Sequence, residues 1–258
     1  MVLCEKQKCT GCGLCKQVCG KQAISLKFDS LGFRIPVIDK DRCVNCGLCS
    51  KKCPELNPVP REKKNDCYLA WANDDKIHYN SASGGISYLL AKHVISHGGF
   101  VVGCIWDEAF NAVLEVIDNV DDLRKTIGSK YAQSYISDKA WKEVVQRLGD
   151  GQKGVFFGLP CQVAAIKSYI KQNENLVLCE ILCHGGSSPL LHKEHLNTIV
   201  EKKKLSDIND IRFRGGKYNF YYTLWTSEKI KYAKALYGDS YYYSFVKHEL
   251  FHDYVSSG

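Results

Sequence analysis

Cys9, Cys12, Cys15 and Cys19 follow the spacing C-x-x-C-x-x-C-x-x-x-C, and the same spacing returns as Cys43, Cys46, Cys49 and Cys53, closed this time by Pro54. Few patterns constrain a chain so strongly, because eight thiols in two short runs need either metal or oxidation to hold them. Disulfides would require an oxidising compartment, yet the start, MVLCEKQKCTGC, has no apolar export core. Zinc uses paired C-x-x-C ligands four at a time, so eight cysteines would suffice for two zinc sites.

The doubled run with its closing proline is the bacterial ferredoxin signature, in which thiolates hold the irons of a [4Fe–4S] cube. Three closely spaced thiolates wrap one face of a cube, and the fourth approaches from the other side, out of the partner run. The expected ligand sets are therefore crossed: Cys9, Cys12, Cys15 and Cys53 on one cluster, Cys43, Cys46, Cys49 and Cys19 on the other. Gly11, Gly13 and Gly47 leave room for backbone beside an inorganic core. Gly20 stands where the first run usually carries proline, and Cys4 and Cys67 fall outside the pattern as spare thiols.

The chain has 258 residues, enough for a small module and a larger domain. Its formal charge is +7, which raises the question of nucleic acid. Residues 1–65 carry thirteen Lys/Arg against six Asp/Glu, whereas the remainder carries 22 of each. The excess thus sits on the cysteine-rich part. Two oxidised cubes with four thiolates each would offset about four positive charges. What is left suits an acidic redox partner better than nucleic acid. No apolar run is long enough to span a bilayer. Fourteen cysteines without an export signal predict a reducing, cytoplasmic setting. Nothing in the sequence speaks to oligomeric state.

Between the cysteine runs, Ile24, Leu26, Phe28 and then Phe33, Ile35, Val37 alternate around Asp29-Ser30-Leu31-Gly32, which predicts a β-hairpin. Two prolines and a charge run over 57–65 predict a linker and a boundary near residue 62, giving domains 1–62 and 63–258. Beyond it, strands are expected at 67–72, 100–106, 112–117, 154–158 and 176–182. Helices are expected from Ser83 onward, over 138–148, from Val163 to about Gln172, up to about Lys204, and over Tyr237–Tyr254. Two antiparallel strands are expected at 211–213 and 219–226. The fold class is α+β or α/β: a small ferredoxin-like two-cluster module followed by a larger α/β domain with a mainly parallel core sheet.

Three glycine-rich turns stand where strands meet helices, the place where open α/β sheets bind ligands. At Ser81-Ala82-Ser83-Gly84-Gly85, with Ser83 as the expected N-cap, bare helix-start amides suit a phosphate or flavin edge, or simple capping. At Gly158-Leu159-Pro160-Cys161-Gln162, Cys161 lies in a first helical turn that favours thiolate, which suits a redox thiol, a ligand or a small buried residue. At Cys183-His184-Gly185-Gly186, His184 is either a proton donor or an ordinary loop histidine.

Together with Ser129-Lys130-Tyr131 and Arg212-Phe213-Arg214, these stretches resemble the coenzyme F420 hydrogenase/dehydrogenase β-subunit family, over about residues 66–255. Pro160-Cys161-Gln162 and Cys183-His184-Gly185 carry most of that likeness. The resemblance implies FAD binding and electron transfer between iron–sulfur centres and a two-electron acceptor, such as deazaflavin F420 or chlorophyll derivatives. Bacterial members also occur alongside polysaccharide-biosynthesis enzymes. It further implies cofactor contacts at Ser83, Gly84, Gly85, Lys130, Gly158, Pro160 and Gln162, with Cys161 and His184 as catalytic groups. Members typically continue into further cysteines and a Gly-Asp-Phe-Trp-Gly-like segment. No cysteine follows Cys183 here, so a third cluster and one pocket wall lack a counterpart.

The expected function is an iron–sulfur flavoprotein oxidoreductase, with two [4Fe–4S] clusters and FAD serving an organic acceptor and a redox partner. A non-catalytic two-cluster electron-transfer subunit and an accessory protein of polysaccharide assembly are the rival readings.

Overall fold

The computed structural model describes residues 3–60, 66–170, 173–227 and 229–247. The boundary expected near residue 62 lies outside the described residues. So do the far end of the Val163–Gln172 helix and residues 248–254 of the expected final helix.

The cysteine-rich segment folds around a hairpin. Strand β1 (Ile24–Phe28) pairs antiparallel with β2 (Arg34–Ile38), Ile24 opposite Ile38 and Phe28 opposite Arg34. Asp29 sets the turn, its carboxylate accepting the amides of Leu31 and Phe33 at 2.9 Å each. Gly32 completes it at φ +80°, and a Cβ there would lie 2.3 Å from Leu190 Cβ. Only glycine meets both demands, so the hairpin tip is wedged against the larger domain. Two short helices carry cysteines: α1 (Leu14–Gln17) and α2 (Leu48–Lys52), packed on each other.

Helices α3 (Asp75–Asn80) and α4 (Ile86–Ser96) open the larger domain. Strands β3 (Phe100–Trp106), β4 (Ala112–Ile117) and β5 (Tyr135–Ile136) follow, then helix α5 (Asp138–Gly149). Next come β6 (Gly154–Gly158), α6 (Pro160–Tyr169), β7 (Leu176–Glu180) and α7 (Pro189–Lys203). The five strands order as β5-β4-β3-β6-β7, with β3–β4 antiparallel and the other three pairings parallel. The sheet is thus mainly parallel. Side chains alternate across it. Phe100, Val102 and Phe156 face Trp141, Val144 and Leu148 of α5 and Val163 and Ile166 of α6. Val101 and Ile117 face Ala91 and Ile95 of α4 on the opposite side.

A second, antiparallel sheet orders as β10 (Lys229–Ala235), β9 (Tyr221–Thr226) and β8 (Asp210–Arg212). Its apolar face, with Ile211, Tyr222 and Leu224, packs on Leu196 and Ile199 of α7 and on Tyr241, Tyr242 and Phe245 of α8 (Ser240–Lys247).

Three expectations need correction. Residues 67–72 form no strand: Tyr68 and Leu69 are exposed, and the Ala72 amide bonds Gly84 O at 2.7 Å, not a neighbouring strand. Helix α6 starts at Pro160, as the first helical turn expected at Cys161 requires, because proline's fixed φ suits the first helical position. Strand β7 stops at Glu180, where its partner β6 runs out at Gly158 and leaves Leu182 exposed. The final helix begins at Ser240, after a 3-10 turn over Leu236–Gly238.

Candidate functional site

The first run's ligand candidates gather with a residue of the second. Cys9, Cys12 and Cys15 each feel the charge of Cys53, which places its sulfur among theirs. Burial is the main reason their thiols are held above the ordinary range, Cys12 at about 11, with the neighbouring thiols adding to it. Thiolates so crowded need bound cations to be stable, which is what iron supplies. Cys4 joins this group, in hydrogen-bond contact with Cys53 and close to Cys9. The second run differs in exposure. Cys49 is buried, Cys43 partly so, and Cys46 lies open to solvent. Cys19 accepts the Ala23 amide at 3.3 Å. Among the described residues no three His, Cys, Asp or Glu side chains are gathered closely enough for a single ion. A cube spreads its thiolates over four corners instead.

The cysteine-rich part is not set apart from the sheet domain. Leu14, between Cys12 and Cys15, is 1% exposed and belongs to the same apolar core as Phe100, Phe156 and Ile166. Gln133 pins the two together: its side chain accepts from Arg34 N at 2.8 Å and donates to Thr10 O. Lys16 and Gln17 both reach Asp138 at the start of α5.

A cavity of about 1160 Å³ opens at the carboxyl ends of β3 and β6. Ser83, Gly84, Gly85, Lys130, Gly158, Gln162, Cys183 and His184 all line it; Pro160 and Cys161 do not. The glycine turn is not capped as expected. Gly85 itself, at φ +80°, is the N-cap of α4, and Ser83 accepts no capping bond. A Cβ on Gly84 would sit 2.3 Å from Ala70 O, so that glycine is needed for backbone packing as well. Gln162 is also committed locally, its amide accepting from Leu159 N and donating to Ser134 Oγ, each at 2.9 Å.

Lys130 reaches the cavity from a strained turn, with Gly128 at φ +93° and Ser129 at φ +59°. Its ammonium donates to Lys125 O and Ile127 O, each at 2.8 Å. Burial pushes its pKa down to about 8, with nearby Cys104 and Asp210 acting in the opposite direction. Cys104 lies close to it, its own thiol pushed up to about 11 by burial. His184 sits in the loop after β7, its ring 5.6 Å from that of Phe245.

Cys161 occupies the space between cavity and cysteines. Burial and then the neighbouring Cys12 and Cys183 raise its thiol to about 12. Cys161 and Cys183 are therefore close, as their strand-end positions suggest, but Cys161 turns toward Cys12 and only Cys183 faces the cavity. Sequence reasoning assigned no site role to Arg214 or Phe220. The Arg214 guanidinium bonds Ala82 O and Asn219 Oδ1 and lies 4.1 Å over the Phe220 ring, and both residues line the cavity. Arg214 was visible only through its motif, and Phe220 carried no signal.

Comparison with known proteins gives the class. Residues 8–56 match the family described as 4Fe-4S dicluster domain. Over 170 residues the chain is 29% identical to the coenzyme F420-dependent sulfite reductase of Methanocaldococcus jannaschii, covering 62% of this chain and 24% of that protein. It spans about a quarter of that relative's length. A solved structure of the F420-reducing [NiFe] hydrogenase complex from Methanosarcina barkeri overlaps 65% of this chain and 64% of the matched chain, at 17% identity and a TM-score of 0.42. Residues 8–56 thus form an N-terminal 4Fe-4S dicluster domain, which makes this an iron–sulfur protein. The chain is related to coenzyme F420-dependent enzymes, in line with the resemblance in its motifs. No helix among the described residues is long and apolar enough to cross a membrane.

Proposed function

We propose that the chain is an iron–sulfur flavoprotein oxidoreductase. In this reading two [4Fe–4S] clusters exchange electrons with FAD in the 1160 Å³ cavity, and FAD with an organic two-electron acceptor. The observation that carries it is the sequence of neighbours Cys12, Cys161, Cys183 and cavity wall, which brings a candidate cluster ligand close to the cavity. One-electron carriers beside such a space need a cofactor that pairs electrons, and a flavin supplies that.

The cavity residues fit FAD. Its volume is above the usual range of about 300–1,000 Å³ for ligand sites. Lys130 and Arg214 bring two cations to the wall, and the ammonium of Lys130 keeps one donor beyond its two carbonyl bonds. The amides at the start of α4 face the same space and suit an anionic pyrophosphate. Cys9, Cys12, Cys15 and Cys53 would hold one cluster, Cys19, Cys43, Cys46 and Cys49 the other. His184, at the cavity wall, would deliver a proton to the acceptor, while Cys161 supports electron passage rather than touching substrate. The dependence of the Methanocaldococcus jannaschii relative on coenzyme F420 favours a deazaflavin acceptor over a polysaccharide-pathway substrate.

A relay without flavin is the second reading, favoured by the structural duties already met by Gly84 and Gly85. Calorimetric titration of anaerobic, cluster-replete protein with FAD separates the two. Binding is expected, and Lys130→Ala should weaken it. Gly85→Val is a poor control, because φ +80° strains any side chain there. No heat of binding in folded, iron-loaded protein would leave the relay.

A further inference from the structure

The two cysteine groups differ in where they face, and the difference divides their labour. The group around Cys12 is turned inward: Cys12 packs against the main core and neighbours Cys161. The group of Cys43, Cys46 and Cys49 is carried by a surface loop. From Lys40 to Leu48 every side chain except Cys43 and the glycine is exposed, Val44 at 60% and Leu48 at 40%. Cations surround these two apolar residues. Lys40 and Arg42 lie on the loop itself and Lys51 on α2, all exposed. Exposed Lys21 lies alongside, because the Asp39 amide bonds Ala23 O at 2.8 Å. Asp39, whose carboxylate accepts the amides of Asp41 and Arg42, and Asp41 are the exposed anions beside Lys40 and Arg42, so Lys51 and Lys21 supply the face's positive excess.

We infer that this loop is the docking surface for a small one-electron carrier protein with an acidic rim around its redox centre, and that the cluster beneath is the port through which electrons enter or leave. The inference rests on the cluster reading given above. Opposite charge around a small apolar centre steers encounter and excludes water at the point of transfer. Each encounter moves one electron: the carrier's centre is oxidised by one as the outer cluster is reduced by one, or the reverse, with no bond made or broken. Two encounters match one two-electron turnover at the cavity, and the inward cluster is the intermediate stop.

The test uses full-length, anaerobically loaded protein and a reduced acidic [2Fe–2S] ferredoxin, mixed by stopped flow and followed by cluster bleaching. Complex formation is measured separately by calorimetry at low salt. Lys40→Glu with Arg42→Glu should slow bleaching about 10-fold or more at low salt, with the difference vanishing at high salt. Binding heat should fall in parallel. Lys21→Glu with Lys51→Glu, on other segments of the same face, should act alike should the first pair impair loading. Lys202→Glu with Lys203→Glu on α7 makes the same change in net charge and should leave the rate unaltered. Equal slowing by that pair would show a net-charge effect and overturn the docking site, as would unchanged rates in the loop variants. Dithionite, which needs no docking, reports cluster integrity in every sample. Protein with far less than about eight irons and no dithionite bleaching would overturn the cluster reading itself, a failure distinct from a docking failure.

Discussion

Replacing Cys46 and Cys53 singly and together decides whether the ligands cross between runs. Cys53 lies among Cys9, Cys12 and Cys15, although in sequence it closes the run of Cys43, Cys46 and Cys49. With crossed ligation, Cys46→Ala damages the outer cluster and Cys53→Ala the inner one. With four irons per cube, the parent should hold about eight, each single variant about four, and the double variant close to none. Uncrossed ligation makes the two changes redundant, because both would strike one cube, and the double variant would keep about four irons. Cys4 must be removed as well: it touches Cys53 and would serve as a substitute ligand. All proteins should therefore carry Cys4→Ala and be purified without oxygen, with iron and acid-labile sulfide measured per chain. A double variant that retains as much iron as either single would refute crossing.

Three other outcomes follow from particular contacts. Leu14→Ala removes a wholly buried side chain from the core it shares with Phe156 and should cost about 2–5 kcal/mol, read as a lower denaturant midpoint in the near-ultraviolet signal of Trp141; an unchanged midpoint would show that the cysteine segment is not part of that core. Lys130 falls from 10.5 to about 8 through burial, so between those values the unfolded chain keeps a proton that the folded chain has released. Parent stability should therefore rise with pH through that window by at most roughly 3 kcal/mol, and the rise should be missing in Lys130→Met when denaturant midpoints at pH 7.5 and about 9.5 are compared. Asp239, 1% exposed, accepts the Tyr242 amide at 2.9 Å and pairs with His195 at 3.0 Å. Asp239→Asn should cost about 1.5–3 kcal/mol and speed amide exchange in α8, and unchanged exchange there would count against the pairing.

The alternating residues of the hairpin, the apolar strands β3, β4 and β6 and the amphipathic α5 were legible because each element's period decides its own burial. Residues 67–72 misled for the same reason: their apolar content matched a strand, but no neighbouring strand receives them. Strand β10 went unread since its alternation is weak and its pairing with β9 is supplied by the rest of the sheet. At the site, the glycine-rich strand–helix turns pointed to the cavity-lining glycines and Cys183, and the family resemblance to Lys130. Which way Cys161 turns is set by packing between α6 and the cysteine segment, a contact across more than a hundred residues that no local pattern encodes. The likeness of 57–65 to a linker likewise says nothing of Leu14 and Gln133, which join the segment to the sheet domain.

Leu14 has a consequence for damage and repair. It stands between two of the proposed ligands of the inward cluster, so oxidation that stripped iron from Cys12 and Cys15 would also loosen a side chain on which Phe100 and Phe156 rest. Corrosion of the metal centre is inherited as a packing fault in the sheet domain. In the same reading an intact core would shield that centre, and rebuilding it from apoprotein would be slower than rebuilding the outer one. The outer cube, on its exposed loop, should be lost early and restored easily. The inner one should be lost late, and its loss should expose the chain to proteases.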